Sequence, residues 1–374
     1  QFNLKQENFK NIETARFKIK KLNLEFDKDF KLKDNFNFSG IIDNANIKLL
    51  NNYKINDLSG NFRYDGDLFH FDKIIWSLKD KNNIDKEFFD GEIKVKKIKK
   101  RFEVNLKFKT SNPSALPRIS IMNYAFEKGK ISEINTSFLI DEKKNITFKK
   151  FSIIDDNNTL QVKDLKLNNN FNLINFKGIS VKTSIDNIIN NHFEISNKDK
   201  IIINGKIFDA KMLIKELSKD NKKNNFLKSI SKDIKIDFNK IVKGAKFPIK
   251  NFSLIGQINN GEFEKILAKS DFSDNQHLDI SLTKDKNTQF KVLEIYSDIA
   301  LPLLNDYKFF QGLEGGKLSY VSKFNKKDSS GVLIIKNFKI NKAPVLAKLL
   351  TLADLKGLTD TLRGDGISFD TLEI

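Results

Sequence analysis

The chain has 374 residues, of which 39% are hydrophobic, and it carries a formal charge of +18 at neutral pH. It contains no cysteine, which excludes disulfide bonds, thiolate metal sites and thiol nucleophiles. No stretch reaches the ~18 consecutive apolar residues of a transmembrane helix. The first residue is Gln1 and the last follows a strand-like stretch, so we expect a piece of a longer protein, with any membrane anchor outside it.

The positive charge has two explanations. A strongly basic chain ordinarily indicates a polyanionic partner, either nucleic acid or an anionic membrane surface. However, Lys, Asn, Ile and Phe are enriched together, which is the bias that an AT-rich genome produces. Solvated basic faces that only keep the protein soluble would give the same composition. Both explanations stay open at this point.

Apolar and polar residues alternate along most of the chain. Between Asp90 and Thr110, apolar side chains occupy every second position of two segments, with lysine, glutamate or asparagine between them. Successive side chains of a strand point to opposite faces, so this period of two predicts half-buried strands with one apolar face. Our candidates for a functional apolar face are Phe62, Tyr64, Phe69, Phe71, Ile93, Val95, Phe102, Val104, Leu106, Phe108, Phe290, Val292, Leu318, Tyr320, Leu333 and Ile335.

Short polar segments separate the predicted strands. Asp65-Gly66-Asp67 and Asn259-Asn260-Gly261 consist of residues that tolerate tight-turn dihedrals, and connections this short join antiparallel neighbours. Similar steps at Leu58–Phe62 and Leu254–Ile258 indicate a degenerate hairpin repeat. We therefore predict a mainly β fold, an elongated and curved antiparallel sheet that forms a repeating β-groove with a few short helices.

Helical periodicity is confined to three places. The clearest predicts a C-terminal helical hairpin over residues 343–363, and weaker patches lie at 209–217 and at 299–304, where Pro302 interrupts the pattern. We expect the hairpin to close the sheet or to contact a partner through one stripe of leucines. These leucines are Leu346, Leu349, Leu350 and Leu358.

These elements divide the chain into three predicted parts. Residues 1–205 form a repeating antiparallel β-groove segment. Residues 206–232 form a helical and polar insert, since a Lys- and Asn-rich stretch follows the helical patch. Residues 233–374 form a C-terminal β-groove region that includes the hairpin.

Motifs for catalysis, metals or cofactors are missing. The three histidines, His70, His192 and His277, lie far apart without metal-ligand spacing. The glycine-rich segment 312–317 has one residue too few for a phosphate loop and lacks its Ser or Thr. We therefore expect a protein that is not an enzyme and binds neither a metal nor a cofactor.

Nucleic-acid binding is an alternative function, because basic residues interleave with aromatic ones at 94–108. A stacking platform needs both residue types on one face, whereas strict alternation places them on opposite faces. We therefore expect no nucleic-acid partner.

An apolar sheet face must be covered by helices, by a second sheet or by a ligand. Few helices are predicted, so the face either closes on itself as a core or holds apolar cargo. Exposing an acyl chain to water costs about 0.8 kcal/mol per methylene, so a lipid chain needs a continuous shield. Phenylalanine suits this lining because it has large apolar area and no polar atom.

The C-terminal stretch Gly331–Ile374 resembles the terminal region of bacterial AsmA-like proteins of the YhdP type. The similarity lies in a strand followed by Ala343-Pro344-Val345-Leu346-Ala347, then Leu355-Lys356-Gly357-Leu358, then Gly364-Asp365-Gly366-Ile367-Ser368-Phe369. It covers residues 201–374 well, and before residue 201 only the repeat pattern agrees.

This resemblance implies a Gram-negative envelope protein. Members of that family are anchored in the inner membrane, and their antiparallel β-groove crosses the periplasm and moves phospholipid toward the outer membrane. We therefore predict phospholipids, the membrane and envelope proteins as partners. A structural or assembly factor for the outer membrane, without lipid conduction, is the alternative.

Overall fold

The structure is a computed structural model. It describes residues 12–33, 35–48, 54–79, 87–110, 131–169, 173–211, 213, 230–242, 247–273, 276–285, 288, 290–305, 307, 310, 312–325, 327–341 and 367–374. The chain divides into two compact units, Gln1–Glu194 and Ile195–Ile374, and the division falls within a strand. Each unit is described by itself below.

The first unit consists of strands. They are β1 (Ile12–Asn23), β2 (Asn37–Lys48), β3 (Lys54–Asp65), β4 (Leu68–Lys79), β5 (Glu87–Ile98), β6 (Arg101–Thr110), β7 (Ser132–Ile140), β8 (Ile146–Ile154), β9 (Thr159–Leu167), β10 (Leu173–Asn175), β11 (Gly178–Ile185) and β12 (Ile188–Asn197). From β1 to β9 each strand pairs antiparallel with the next along the chain, and β10 and β11 both pair with β9.

The second unit contains the remaining strands and a short helix. They are β13 (Ile201–Asp209), β14 (Lys232–Val242), β15 (Ile249–Asn259), β16 (Glu262–Ser273), β17 (Gln276–Lys284), β18 (Lys291–Ser297), α1 (Leu301–Leu304), β19 (Leu313–Phe324), β20 (Ser329–Ile340) and β21 (Ile367–Glu373). From β14 to β21 successive strands pair antiparallel.

The prediction of a mainly β fold with an open antiparallel sheet is confirmed. One pair departs from it, since β13 and β14 run parallel, with Ile201 opposite Ile234. Parallel neighbours need a crossover of a dozen or more residues. The connection from Asp209 to Lys232 is long enough for such a crossover, whereas a short turn such as that between Asp65 and Leu68 joins an antiparallel pair.

β-Bulges interrupt three adjacent strands of the first unit. Asn44 in β2, Asp57 in β3 and Lys73 in β4 have φ angles of 51°, 56° and 50°, and the pairing register shifts beside each of them. The Asn44 N–H donates to Ser59 Oγ at 3.2 Å, and the Asp57 N–H donates to Asn46 Oδ1 at 3.2 Å. A bulge bends its strand and increases the local twist, so β2, β3 and β4 bend at neighbouring positions.

Helix α1 lies within the weak helical patch predicted at 299–304. Pro302 lies in the first turn of α1, where its missing N–H costs no hydrogen bond. The predicted hairpin at 343–363 and most of the insert at 206–232 lie outside the described residues. No helix in the described ranges combines the length and apolar character needed to cross a bilayer.

A candidate apolar ligand face

Strand pairing places the apolar residues of the first unit in three cross-strand rows on one face, here called the apolar face. Directly opposed residues of an antiparallel pair lie on the same face, so the register defines each row. The first row is Leu22, Phe38, Tyr64, Phe69, Val95, Val104, Phe138, Phe148 and Leu165. The second is Ile19, Gly40, Phe62, Phe71, Ile93, Leu106, Thr136, Phe151, Val162 and Ile179. The third contains Phe17, Ile42, Gly60, Ile74, Gly91, Phe108, Ile134, Ile153, Leu160 and Val181.

All the candidates predicted between Phe62 and Phe108 lie on this face. Phe102 lies just beyond the first row, opposite Lys97 on β5 and Ile140 on β7. Two residues of the rows carry a hydroxyl group: the Thr136 Oγ1 donates to the Lys150 carbonyl oxygen at 3.2 Å, and the Tyr64 hydroxyl donates to the Gly66 carbonyl oxygen. Both hydroxyl groups are therefore satisfied by the backbone, and the rows present a continuous apolar surface.

Aromatic rings cluster at the β1–β4 end of the face. The Tyr64 and Phe69 ring centroids are 4.4 Å apart, and Phe38 lies 5.3 Å from Tyr64 and 5.9 Å from Phe62. Phe36, Phe17 and Phe71 extend the cluster at 5.3–6.3 Å. Separations of about 4.5–7 Å are those at which aromatic pairs attract each other beyond their buried area.

A cavity of about 280 Å³ adjoins this cluster. It is lined by Ala15, Phe17, Ile42, Ala45, Leu58, Ser59, Gly60, Asn61, Phe71, Ile74 and Ile93. The Asn61 amide donates to the Asp72 carboxylate at 2.9 Å, so the lining supplies little free polar capacity. The cavity is near the small end of the ~300–1,000 Å³ range of ligand pockets. It suits an apolar group better than a polar one.

Exposure is graded across the apolar face. Beyond β1 the third row is closed, with Ile74, Phe108 and Val181 only 3%, 5% and 1% exposed, whereas Phe17 on β1 is 56% exposed. The first row is more open, since Phe69 is 37% exposed and Tyr64, Val95 and Phe138 are half-buried. An apolar ligand would therefore meet the first row before the third.

Two glycines on this face allow aromatic rings to approach the backbone. Gly91 lies opposite Phe108, and a Cβ at Gly91 would collide with the Lys107 carbonyl oxygen and lie 2.7 Å from the Phe108 ring. A Cβ at Gly40 would lie 2.7 Å from the Phe62 ring. Close approach of a ring explains a glycine within these strands.

The other face of the first unit is polar and carries ion pairs. Lys109 lies 3.0 Å from Glu133, and Lys149 lies 3.1 Å from Glu103. The hydrogen bond and charge of Lys109 lower the pKa of Glu133 below its ordinary value. Lys94 and Lys107 alternate with row residues and so point away from the rings. In the middle of these strands lysines and rings are therefore on opposite faces, as strict alternation predicts.

The second unit has an apolar face of its own, with a row formed by Ile203, Ile236, Leu254, Ala268, Ile280, Ile295, Tyr320 and Leu333. At its C-terminal end the chain covers this face. Ala300, Leu304 and Phe310 pack with Leu318, Ile335 and Phe338 in one buried cluster. Of the predicted candidates, Leu318 and Ile335 are core residues, 3% and 0% exposed, and Tyr320 and Leu333 lie at the margin of that core.

Phe290 and Val292 lie on the opposite face from the other candidates of the second unit. Leu293 pairs with Leu282 and Ile295 with Ile280, so these two residues of β18 join the apolar face. Val292 pairs with Thr283 and Lys323 and shares the polar face with Glu294. The Phe290 ring lies 5.0 Å below the Lys323 ammonium. The segment Lys291–Ser297 has apolar residues at both parities, so alternation does not define its face.

The sequence prediction missed several residues of the rows and of the aromatic cluster beside them. Phe36 and Phe38 are two residues apart and carry the same alternation signal as the chosen candidates. Phe148 and Phe151 are three apart, and a register shift in β8 restores both to one face. Alternation alone cannot find such a pair, since it places them on opposite faces.

The remaining predicted features are the leucines of the C-terminal hairpin and the histidines. Leu346, Leu349, Leu350 and Leu358 lie outside the described residues. His70 contacts Arg63 and Glu92 on the polar face, and His277 Nδ1 lies 2.9 Å from Asp271. Within the described ranges no group of His, Asp and Glu side chains is placed to hold a metal ion.

Comparison with known proteins leaves the chain without a match: no family profile, characterised protein or solved structure is significantly similar to it.

Proposed function

We propose that this chain is a segment of an envelope protein whose apolar β-groove shields and conducts the acyl chains of phospholipids. The supporting observation is the continuity of the first row, in which Leu22 to Leu165 form one line of apolar side chains and rings across β1 to β9. Its one polar side-chain group, the Tyr64 hydroxyl, donates to the Gly66 carbonyl oxygen. A discrete binding pocket would need polar groups that orient its ligand. An uninterrupted apolar line suits a chain that slides.

The energetic argument depends on continuity. A chain of ~16 carbons gains more than ~10 kcal/mol by leaving water, so each exposed interval along a path would act as a barrier. In the first row the spacing between members is that of neighbouring strands, about 4.8 Å. An acyl chain that contacts several members at once can exchange one contact for the next without full hydration.

The proposed location is the periplasm of a Gram-negative bacterium, with an anchor in the inner membrane outside these residues. This part of the proposal rests on the resemblance of residues 201–374 to AsmA-like proteins of the YhdP type. The proposed groove is a curved, elongated sheet, and the aligned bulges of β2, β3 and β4 are one local source of curvature.

Photo-crosslinking tests the lipid path. A photoreactive phenylalanine analogue at Phe69 should give phospholipid adducts after irradiation in envelopes of a Gram-negative host. Phe69 is chosen because its ring is the most exposed one in the first row, where it lies opposite Val95. The matched control places the analogue at Lys107, which is exposed on the polar face. Equal adduct yields at the two positions, or none at Phe69, would overturn the proposal.

A second candidate function is protein docking by a structural or assembly factor. One row on the polar face of the second unit contains exposed aliphatic residues: Ile255 is opposite Leu267 and Val321 is opposite Val332, each 43–53% exposed. Leu267→Glu with Val321→Glu should then release a protein partner from envelope pull-downs and leave Phe69 crosslinking to lipid unchanged. If the double variant still retains the protein partner, this candidate function is excluded.

A further inference from the structure

Unusually exposed hydrophobic side chains project from one end of the sheet in the first unit. The β1–β2 loop presents Phe30, which is 88% exposed, and Phe26, which is 52% exposed. The β5–β6 hairpin presents Ile98 at 41% and Phe102 at 46%. Single exposed apolar residues are ordinary, but a set at one end of a sheet marks an interaction surface.

The two tips belong to the same end of the sheet. Asn37 at the start of β2 pairs with Asp65 at the end of β3, and Leu68 at the start of β4 pairs with Lys96 near the end of β5. The β1–β2 loop, the β3–β4 turn and the β5–β6 hairpin therefore follow one another along this end. We name it the basic rim, defined by residues 24–33 and 96–102.

Cations surround the exposed apolar residues of the basic rim. Lys96, Lys97, Lys99, Lys100 and Arg101 are exposed and lie in six consecutive positions that contain no carboxylate, and of these Lys100 forms an ion pair with Glu142 of the β7–β8 turn at 3.0 Å. Lys97 also lies opposite Phe102, so here a cation and a ring share the apolar face. This differs from the middle of the strands, where Lys94 and Lys107 point away from the rings.

The described carboxylates of the β1–β2 loop, those of Glu25, Asp27 and Asp29, have partners within the loop. Asp27 Oδ1 accepts the N–H groups of Asp29 and Lys31 at 2.9 and 2.8 Å. Glu25 accepts the Asn35 amide at 2.6 Å and lies 3.6 Å from Lys33. The hydrogen bond from Asn35 lowers the pKa of Glu25, so it stays ionised and paired near neutral pH.

The loop holds Phe30 outward in a constrained conformation. Phe30 has φ of 57°, a left-handed geometry that is an outlier for a bulky side chain. The bridge between Phe26 and Leu32 and the Asp27 hydrogen bonds maintain it. Strain of this kind persists where the surroundings impose it and indicates a functional role for the presented side chain.

The described turns at the opposite end of the first unit are acidic. They contain Asp155, Asp156 and Asp186 and no lysine. Ile188 is 72% exposed there. This end therefore offers an apolar side chain in an acidic setting and serves as an internal control.

We propose that the basic rim docks on the surface of an anionic phospholipid bilayer, with Phe26 and Phe30 inserted at the level of the headgroups. Exposed aromatic side chains flanked by lysines match such a surface in both polarity and charge. Nucleic acid fits less well, because Leu24, Leu32 and Ile98 cannot stack on bases. This inference is independent of the lipid path proposed above, since it concerns the strand ends and a different assay.

Vesicle flotation with the 374-residue chain tests the proposal. Binding should be strong to phosphatidylglycerol vesicles, weak to phosphatidylcholine vesicles, and reduced by added salt. Lys97→Ala with Lys99→Ala should weaken binding by about fivefold per lysine. Phe26→Ser with Phe30→Ser should weaken it by at least about tenfold.

Matched controls are Ile188→Ser at the acidic end and Lys182→Ala in β11, and both should bind as the parent chain does. Circular dichroism and Trp76 fluorescence verify folding of each variant. Equal binding to the two vesicle types, an equal loss with Ile188→Ser, preferential binding of single-stranded DNA, or self-association that Phe26→Ser with Phe30→Ser abolishes would each overturn the proposal. Phe69 crosslinking is read separately, so failure of one proposal is distinguishable from failure of the other.

Discussion

The apolar faces of the two units share the same alternation and have different environments. In the first unit, Phe69 and its row neighbours stay partly open and adjoin a cavity of about 280 Å³. At the C-terminal end of the second unit, α1 and Phe310 fold onto the face, and Ile335 becomes fully buried. The difference teaches that an alternating strand supplies an apolar face, and a segment elsewhere in the chain decides whether that face is a lining or a core.

The largest expected effect comes from removing the cover in the second unit. Phe310→Ala should lower the free energy of unfolding by about 3–5 kcal/mol, because it leaves a cavity above Leu318 and Ile335. Binding of a hydrophobic dye should rise as the face opens. Urea unfolding followed by circular dichroism measures the first effect, and an unchanged midpoint would show that the cover does not stabilise this core.

Truncation of the two faces should differ in cost. Ile335→Ala should destabilise by about 2–5 kcal/mol, whereas Phe69→Ala should cost clearly less because its ring is 37% exposed. Unfolding of the first unit can be followed by the fluorescence of Trp76, the single tryptophan, which packs 5.5 Å from Phe108. Equal costs would mean that the first row is as well packed as the core.

Adding a methyl group tests how tightly rings lie on the sheet. Gly91→Ala should destabilise by about 1–3 kcal/mol, since its Cβ meets the Lys107 backbone and the Phe108 ring. Gly331→Ala is the control in the second unit, where the nearest atom is the Tyr320 hydroxyl at 3.0 Å on a side chain that can move. A Gly331→Ala loss as large as that of Gly91→Ala would contradict the distinction.

The smallest effect concerns acid. Asp298 accepts the His277 N–H at 3.0 Å and the Tyr296 hydroxyl at 2.9 Å, and these bonds lower its pKa below the ordinary 3.8. A lowered folded-state pKa contributes stability above pH ~4 that is lost as the pH falls through the folded value. Asp298 precedes α1, so acid should loosen the cover.

Denaturant unfolding at a series of pH values measures this dependence. Asp298→Asn should flatten the decline below pH ~4, because it removes the carboxylate whose protonation causes it. A decline of the same steepness in Asp298→Asn would exclude this carboxylate as its source.

Sequence reasoning was reliable where charged residues marked one face. In β5 and β6, lysine and glutamate occupy the positions between Ile93, Val95 and Val104, so only one register buries the apolar set. It was unreliable in β18, where Val292, Leu293, Ile295 and Tyr296 offer apolar side chains to both faces. Alternation also failed to place Phe148 on the same face as Phe151. The bulge in β8 inserts one extra residue between them, and this reverses which face the residues on its other side occupy.

The amino-acid sequence by itself determined the mainly β fold, the antiparallel hairpins and the one-sided character of the first unit, because turn chemistry and alternation are local properties. The tertiary structure alone decided which faces are covered, because burial of Leu318 depends on residues 300–310 folding back onto it. It also decided the shared end of the two rim tips, since strand register brings Phe30 and Phe102 to one edge from segments about seventy residues apart in the chain.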